Sequence, residues 1–397
     1  MKEDIGDKLD IGDKLDIGDK LDFAKGLEDV VASTTSIGYL DGQLGKLVYR
    51  GYDIFDLADF STFEETVYLL LYGKLPTRIE LVTFKDKLVS YRPVMDEVMD
   101  RLDRLPCPCH PMSLLRSGIS LMECIDETCQ VAQGIEDKQE MGIKLIAQMP
   151  TLTAGIARIL TNEQPVPPDP GLDHAANFLY MLTGERADPL AERVMDVSLI
   201  LHADHGMNAS TFSALVVAAT LSDLHSAITS GISALKGPLH GGANEMVIRM
   251  LLKLHSEEEA ENYADEVIAA NKKIMGFGHR VYKTIDPRAK ILQQYAEDLS
   301  NITGNQQLYR VARIIEKRGM EAYGKKGVCP NIDFYSGLVY HNLGIHTDMF
   351  TPIFAVSRTA GWVARILEYL ENNRIFRPRA VYVGPKGLNY VPIDERD

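Results

Sequence analysis

GIKLIAQMPTLTAGIARIL, residues 142–160, places apolar side chains at Ile143, Ile146, Met149, Leu152, Ile156 and Ile159, steps of three and four that line one face of an α-helix. The same spacing returns at 63–72, 78–90, 113–124, 173–182 and 191–201. A second group follows at 243–254, 257–273, 287–300 and 308–317, before the apolar stretch 352–370. Gly and Pro at 73–76, 107–111 and 165–171 mark short loops between antiparallel helices. At 36–50 the period changes to two, with apolar and polar residues alternating around Asp41-Gly42, a pair that commonly turns one strand into an antiparallel neighbour. Strand–helix–strand alternation is missing. The expected class is all-α with one small N-terminal β-hairpin, and a dinucleotide-binding sheet is not expected.

Ahead of the hairpin the hexapeptide IGDKLD occurs three times in tandem over 5–22. A period of six matches neither 3.6 nor 3.5, so the tract cannot keep one apolar face along a helix. Residues 1–22 are expected to be an appended flexible arm without chemistry, an oligomer-contact arm being the alternative. The 397 residues, at about 150 per domain, suggest two or three domains. The second helical group is flanked by glycine-bearing turns at 236–242 and 335–337. Hinges need such turns, because a few element-terminal residues absorb the dihedral change of closure. The expected division is a large helical domain, 23–239 with 339–397, and a small one, 240–338.

Composition narrows the function. With 45% hydrophobic and 25% charged residues the chain is an ordinary globular protein. Forty-two Lys plus Arg against 56 Asp plus Glu leave a net charge of −14, which repels nucleic acid and anionic membrane, so an anionic ligand needs a local basic cluster. The longest apolar run, 214–221, is far shorter than the ~20 residues that span a bilayer. Five cysteines without regular spacing suit a reducing compartment, and the acid-rich start has the form of neither a secretory nor a mitochondrial leader, so the expected location is the cytoplasm.

Three histidines lie against glycine: His205 in HADHGMN, His240 in KGPLHGGANE and His279 in GFGHRVY. Glycine lets backbone and ligand come close to an imidazole, although a lone histidine beside glycine is more often a capping or turn residue. His240 precedes a helix start, where the dipole disfavours imidazolium and a neutral ring can hydrogen-bond a developing enolate. The segment after His279 gathers Arg280, Lys283, Arg288 and Lys290 in an otherwise acidic chain. Either it binds phosphate or carboxylate, or it is a solvated face with Asp286 capping the helix from Pro287. Arg374, Arg377 and Arg379 form a second basic group. Asp333, between Ile332 and Phe334, is either a desolvated general base or a helix cap. Cys107 and Cys109 beside His110 lack a second pair of ligands, so no metal site is expected, and Cys124 and Cys129 read as core. Dinucleotide, P-loop and HExxH signatures are absent from the sequence.

Four segments in this order, KGPLHGGANE (236–245), GFGHRVYKTIDPRAK (276–290), NIDFYSG (331–337) and VSRTAGWVARILEY (356–369), resemble the citrate synthase family, in its shorter bacterial and archaeal form. The likeness covers about 26–384, and the repeat arm has no counterpart in it. The resemblance implies a two-domain helical homodimer that condenses acetyl-CoA with oxaloacetate and water to citrate and CoA, without metal or redox cofactor. It implies that Asp333 removes a methyl proton, His240 hydrogen-bonds the enol oxygen and His279 donates to the oxaloacetate carbonyl. It further implies that His205, Arg288, Arg358 and, from the other subunit, Arg377 hold oxaloacetate, while Lys283 faces CoA phosphate. 2-Methylcitrate synthesis from propionyl-CoA is the alternative, since one methylene changes affinity by only ~1–3 kcal/mol. A non-catalytic scaffold built from the same helices is the alternative from another class, disfavoured by the presence of Asp333 with both motif histidines.

Overall fold

The computed structural model of the chain describes residues 24–105, 109–126 and 134–396. The repeat arm, Cys107 and Cys129 lie outside them. Two compact units are present: Thr35–Ile375, and a smaller one of residues before Thr35 together with Phe376–Asp397. Among its described residues the smaller unit carries short 3-10 turns at Lys25–Leu27 and Ile393–Glu395 and is otherwise largely irregular and exposed.

The larger unit opens with strands β1 (Gly38–Asp41), β2 (Lys46–Tyr49) and β3 (Tyr52–Asp53), an antiparallel sheet in sequence order with Asp41 opposite Lys46. The expected hairpin is present, but its loop is longer than the Asp-Gly pair. Asp41 Oδ1 accepts the N–H groups of Gln43 and Leu44, so the aspartate side chain organises the turn. Gly42 is required there because a Cβ would meet the Val281 carbonyl oxygen at 2.1 Å. Its own carbonyl accepts Lys283 N–H at 2.8 Å, which seats the hairpin on the 281–283 loop.

Helices follow: α1 (Ile54–Phe60), α2 (Phe63–Tyr72), α3 (Arg78–Tyr91), α4 (Asp96–Asp103), α5 (Pro111–Ile125), α6 (Ile135–Leu160), α7 (His174–Thr183), α8 (Pro189–His202), α9 (Ala209–Ala218) and α10 (Leu224–Leu235). Then come α11 (Ala243–Leu251), α12 (Glu257–Ala269), α13 (Pro287–Thr303), α14 (Gln306–Tyr323), α15 (Ile332–Asn342) and α16 (Phe350–Glu371). Short polar side chains start many of them: Asp53, Thr62, Thr77, Asp188, Asn208, Asp223, Ser256, Asp286 and Asn331 each accept a first-turn N–H. Left-handed glycines end α2, α7 and α13. The all-α expectation holds. Periodicity missed α1 and α4, which are short, α9 and α10, which carry no Asp, Glu, Lys or Arg to mark the face away from their buried stripe, and α15, which is buried nearly all round.

The core is built round α16, buried from Phe350 through Leu367 and packed on α6, α8, α9 and α10. A Cβ at Gly142 would meet Val363 at 2.3 Å, and one at Gly231 would meet the fully buried Trp362 ring at 3.0 Å, so small residues let α6 and α10 close on this helix. Helices α11 to α15 pack mainly on one another, with α13 also touching α1 and α8, and α11 touching α16. Two sequence expectations fail. Residues 335–337 are helical within α15, where a Cβ at Gly337 would meet the Asn244 carbonyl at 2.7 Å, so this glycine serves close packing and is no hinge turn. Cys124 is exposed near the end of α5 and is no core residue, because it lies off that helix's buried stripe of Leu114, Leu115, Gly118, Ile119 and Met122.

Candidate active site

Asp333 is the second residue of α15. Its backbone N–H donates to Asn331 Oδ1 (3.0 Å), which makes Asn331 the cap and leaves the Asp333 carboxyl free of that task. Burial lifts this carboxyl to about 7, against the opposing pull of Arg288. The residues on either side of Asn331 are tied to the histidine loop: Gly278 N–H donates to Cys329 O (2.8 Å), Asn331 N–H to Gly276 O (2.9 Å) and the Asn331 side-chain amide to Gly278 O (2.9 Å).

His279 accepts two backbone N–H groups at Nδ1, from Val281 (2.9 Å) and Tyr282 (3.2 Å). Its own proton is therefore on Nε2. His240 lies in the turn between α10 and α11 and accepts Ser210 N–H at Nε2 (3.3 Å), with the Ser210 hydroxyl 2.8 Å from the same nitrogen. That leaves its proton on Nδ1. Burial pushes both rings down to about 4, with Arg288 adding at His279 and Arg358 at His240. Both are neutral donors at pH 7. The expected neutrality of His240 is thus met, chiefly by burial, since Gly242 is the cap of α11. His205, in the loop after α8, is buried, held well below the usual imidazole range by burial and then by Arg288, and 5.1 Å from the His279 ring.

Two buried guanidinium groups complete the set. Arg288, near the start of α13, is locked by Asp286: Nε to Oδ1 at 3.0 Å and Nη2 to Oδ2 at 2.7 Å. Arg358 on α16 is 1% exposed, donates from Nε to the His202 carbonyl (2.7 Å) and lies 4.7 Å over the Phe354 ring. Among the described residues it makes no ion pair with a carboxylate, and burial drags it down to about 10. A desolvated cation without an acid is costly unless a ligand supplies the anion. Its charge is felt at His205, His240 and Asp333, which places these residues in one neighbourhood.

Two residues singled out from sequence stand apart. Lys283 is exposed, with the Gly324–Lys326 turn, which carries Lys325 and Lys326, leading into Gly327 against its backbone. Arg377 belongs to the smaller unit, is exposed and donates to the Pro378 carbonyl (3.1 Å). Sequence reading missed Ser210, Tyr282, Phe354 and the Asp204–Arg365 pair. Asp204 was visible beside His205 in HADHG, but only the fold supplies its partner.

His205, His279 and Asp286 offer ligand atoms within 4.8 Å of one another. They fit a metal poorly: Asp286 has both oxygens on Arg288, His279 has Nδ1 on backbone donors, and guanidinium groups face the same space.

Buried guanidiniums, neutral imidazoles and a carboxyl poised near 7 on a helical scaffold are the equipment of an acid–base enzyme for small carboxylate substrates. The family model described as "Citrate synthase, C-terminal domain" matches residues 26–379. The citrate synthase of Haloferax volcanii is 44% identical over 377 residues, covering 94% of this chain and 98% of the relative, and citrate synthase 2 of Bacillus subtilis is 46% identical over 373 residues, covering 94% and 99%. The solved citrate synthase of Thermoplasma acidophilum, a ternary complex with carboxymethyl coenzyme A and oxaloacetate, superposes with a TM-score of 0.89 at 38% identity, covering 94% of this chain and 99% of that one. The chain belongs to the citrate synthase family.

Proposed function

We infer that the protein condenses acetyl-CoA with oxaloacetate and water to give citrate and CoA. The observation that carries this reading is the pairing of one carboxyl lifted to about 7 with two neutral imidazoles whose tautomers are fixed by backbone donors. The methyl group of a thioester is too weak an acid for a lone carboxylate, so base and hydrogen-bond donor must act on the same enolising unit. Asp333 takes the methyl proton while His240 Nδ1–H stabilises the developing enol oxygen. The new carbon nucleophile attacks the oxaloacetate carbonyl carbon, whose oxygen receives the proton of His279 Nε2. Water then cleaves the thioester.

Arg288, Arg358 and His205 hold the substrate carboxylates, and Lys283 lies on the path of the CoA phosphates. This chemistry needs no metal or redox cofactor. Residues 240–338 form a small domain that closes on the large one after oxaloacetate binds, with 236–242 as the hinge, and the enzyme works in the cytoplasm. Side-by-side kcat/KM values for acetyl-CoA and propionyl-CoA with oxaloacetate test the acyl assignment: acetyl-CoA is expected to be preferred, and a propionyl-CoA preference refutes it.

The active form is a homodimer in which Arg377 completes the oxaloacetate site of the other subunit. Arg377→Ala is expected to raise the oxaloacetate KM by about tenfold or more, the worth of a charge-assisted carboxylate contact, with acetyl-CoA binding less affected. Mixing it with inactive Asp333→Asn subunits should regenerate one intact site per heterodimer. A mixture that remains as impaired as its parents after confirmed subunit exchange places Arg377 in its own chain's site.

A further inference from the structure

Tyr282 has no part in the steps above, yet it touches two of their residues. Its hydroxyl is 3.2 Å from His205 Nε2, its backbone N–H donates to His279 Nδ1 (3.2 Å), and its ring lies 4.9 Å from the His279 ring and 5.5 Å from the His205 ring. It is 1% exposed, and the loop that carries it rests on the hairpin turn through the Lys283 N–H to Gly42 O bond. We propose that Tyr282 is a positioning residue that sets the tautomer of His205 through its hydroxyl and, together with the Val281 N–H, that of His279 through its backbone N–H.

The direction of the second bond follows from the chemistry of the pair. Burial raises the phenol above its ordinary range and lowers the imidazole, so both partners are neutral. Between a neutral phenol and a neutral imidazole, the phenol is the better proton donor and the unprotonated ring nitrogen the better acceptor. Tyr282 therefore donates to Nε2 and leaves the His205 proton on Nδ1. The two adjacent rings then carry opposite tautomers, Nδ1–H at His205 and Nε2–H at His279. Each presents a single fixed N–H, and a substrate that needs one donor from each ring meets both already oriented.

The importance of this for catalysis rests on the oxaloacetate reading of His205 and His279, whereas the tautomers can be read without substrate. The test uses the full-length protein with 15N-labelled histidine, unliganded, and its Tyr282→Phe variant, which keeps the ring and the backbone donor and removes one oxygen. Wild-type protein is expected to show Nδ1–H at His205 and Nε2–H at His279. In Tyr282→Phe the His205 signals should move towards a tautomer mixture while those of His279 stay. The oxaloacetate KM should rise about five- to tenfold, the scale of one lost hydrogen bond, with kcat within about twofold. Nε2–H at His205 in the wild type, or an unchanged pattern in the variant, overturns the inference about Tyr282 and leaves the site reading standing. A changed pattern with an unchanged oxaloacetate KM instead removes His205 from oxaloacetate binding, and the catalytic meaning of Tyr282 with it. Because the wild-type spectrum alone can refute the tautomer assignment, the test survives a variant that folds badly.

Discussion

Asp333→Asn should fold, bind oxaloacetate and lose kcat by about three orders of magnitude, the scale expected when a positioned general base is replaced by its uncharged isostere. Its side chain caps nothing, since Asn331 performs that task, so loss of activity cannot be ascribed to a melted α15. The wild-type enzyme carries a further signature of this carboxyl. Burial raises it to about 7, so kcat/KM should fall with decreasing pH below that value as the base becomes protonated. Stability should run the other way. Between the ordinary value of 3.8 and about 7 the native state holds a proton that the unfolded chain has released, so this group's contribution to stability declines as pH rises through that window. Asp333→Asn should therefore flatten both profiles, lowering activity at every pH while removing this group's part of the stability loss between 3.8 and about 7. A pH–rate series with matched urea titrations checks the pair. Activity near wild type, or an acid limb unchanged in the variant, rejects Asp333 as the base.

The helices legible in the sequence are those with a long apolar repeat or a marked start. Residues 142–160 read correctly because apolar residues recur there in steps of three and four over a long stretch, although α6 is buried almost continuously from Met141 to Ile156, and 287–300 because Asp286 and Pro287 announce the start of α13. Helix α15 was hinted at only by the cap reading of Asp333: it is short and nine of its eleven residues are buried, so periodicity has little polar face to contrast with. Its Gly337 then read as punctuation, although the close approach of Asn244 is what requires it. Individual site residues were legible where glycine or charge reversal marked them, as at His240, His279 and Arg288. Their electrostatic state was not. The neutrality of His240 needs the burial given by the fold, and the Asp286 clamp on Arg288 depends on a conformation that the helix-capping reading only half describes.

Two buried arginines on α16 separate structural from ligand-facing charge, and the difference can be measured. Arg365 is 3% exposed and gripped by the fully buried Asp204, Nε to Oδ1 at 2.6 Å and Nη2 to Oδ2 at 2.7 Å. Burial alone would raise the Asp204 acid, yet Arg365 more than offsets it and holds the carboxyl below its ordinary range. Asp204 also anchors its surroundings: its carbonyl accepts the Tyr49 hydroxyl (2.8 Å), and a Cβ at Gly361 of α16 would meet it at 3.1 Å. Asp204→Ala strands the Arg365 cation in the core and is expected to destabilise the protein by about 3–5 kcal/mol, read as a lower urea midpoint. Replacing both partners by apolar residues, Asp204→Leu with Arg365→Met, should recover much of that loss, because the penalty belongs to the unpaired charge. Arg358, two turns earlier on the same helix, already lacks an acid. Arg358→Leu should therefore leave stability near or above wild type while abolishing oxaloacetate binding, and oxaloacetate should raise the melting temperature of the wild type but not of this variant. If Asp204→Ala proves harmless, or Arg358→Leu unfolds the protein as Asp204→Ala is expected to, pairing does not distinguish the two arginines and Arg358 loses its claim to the substrate.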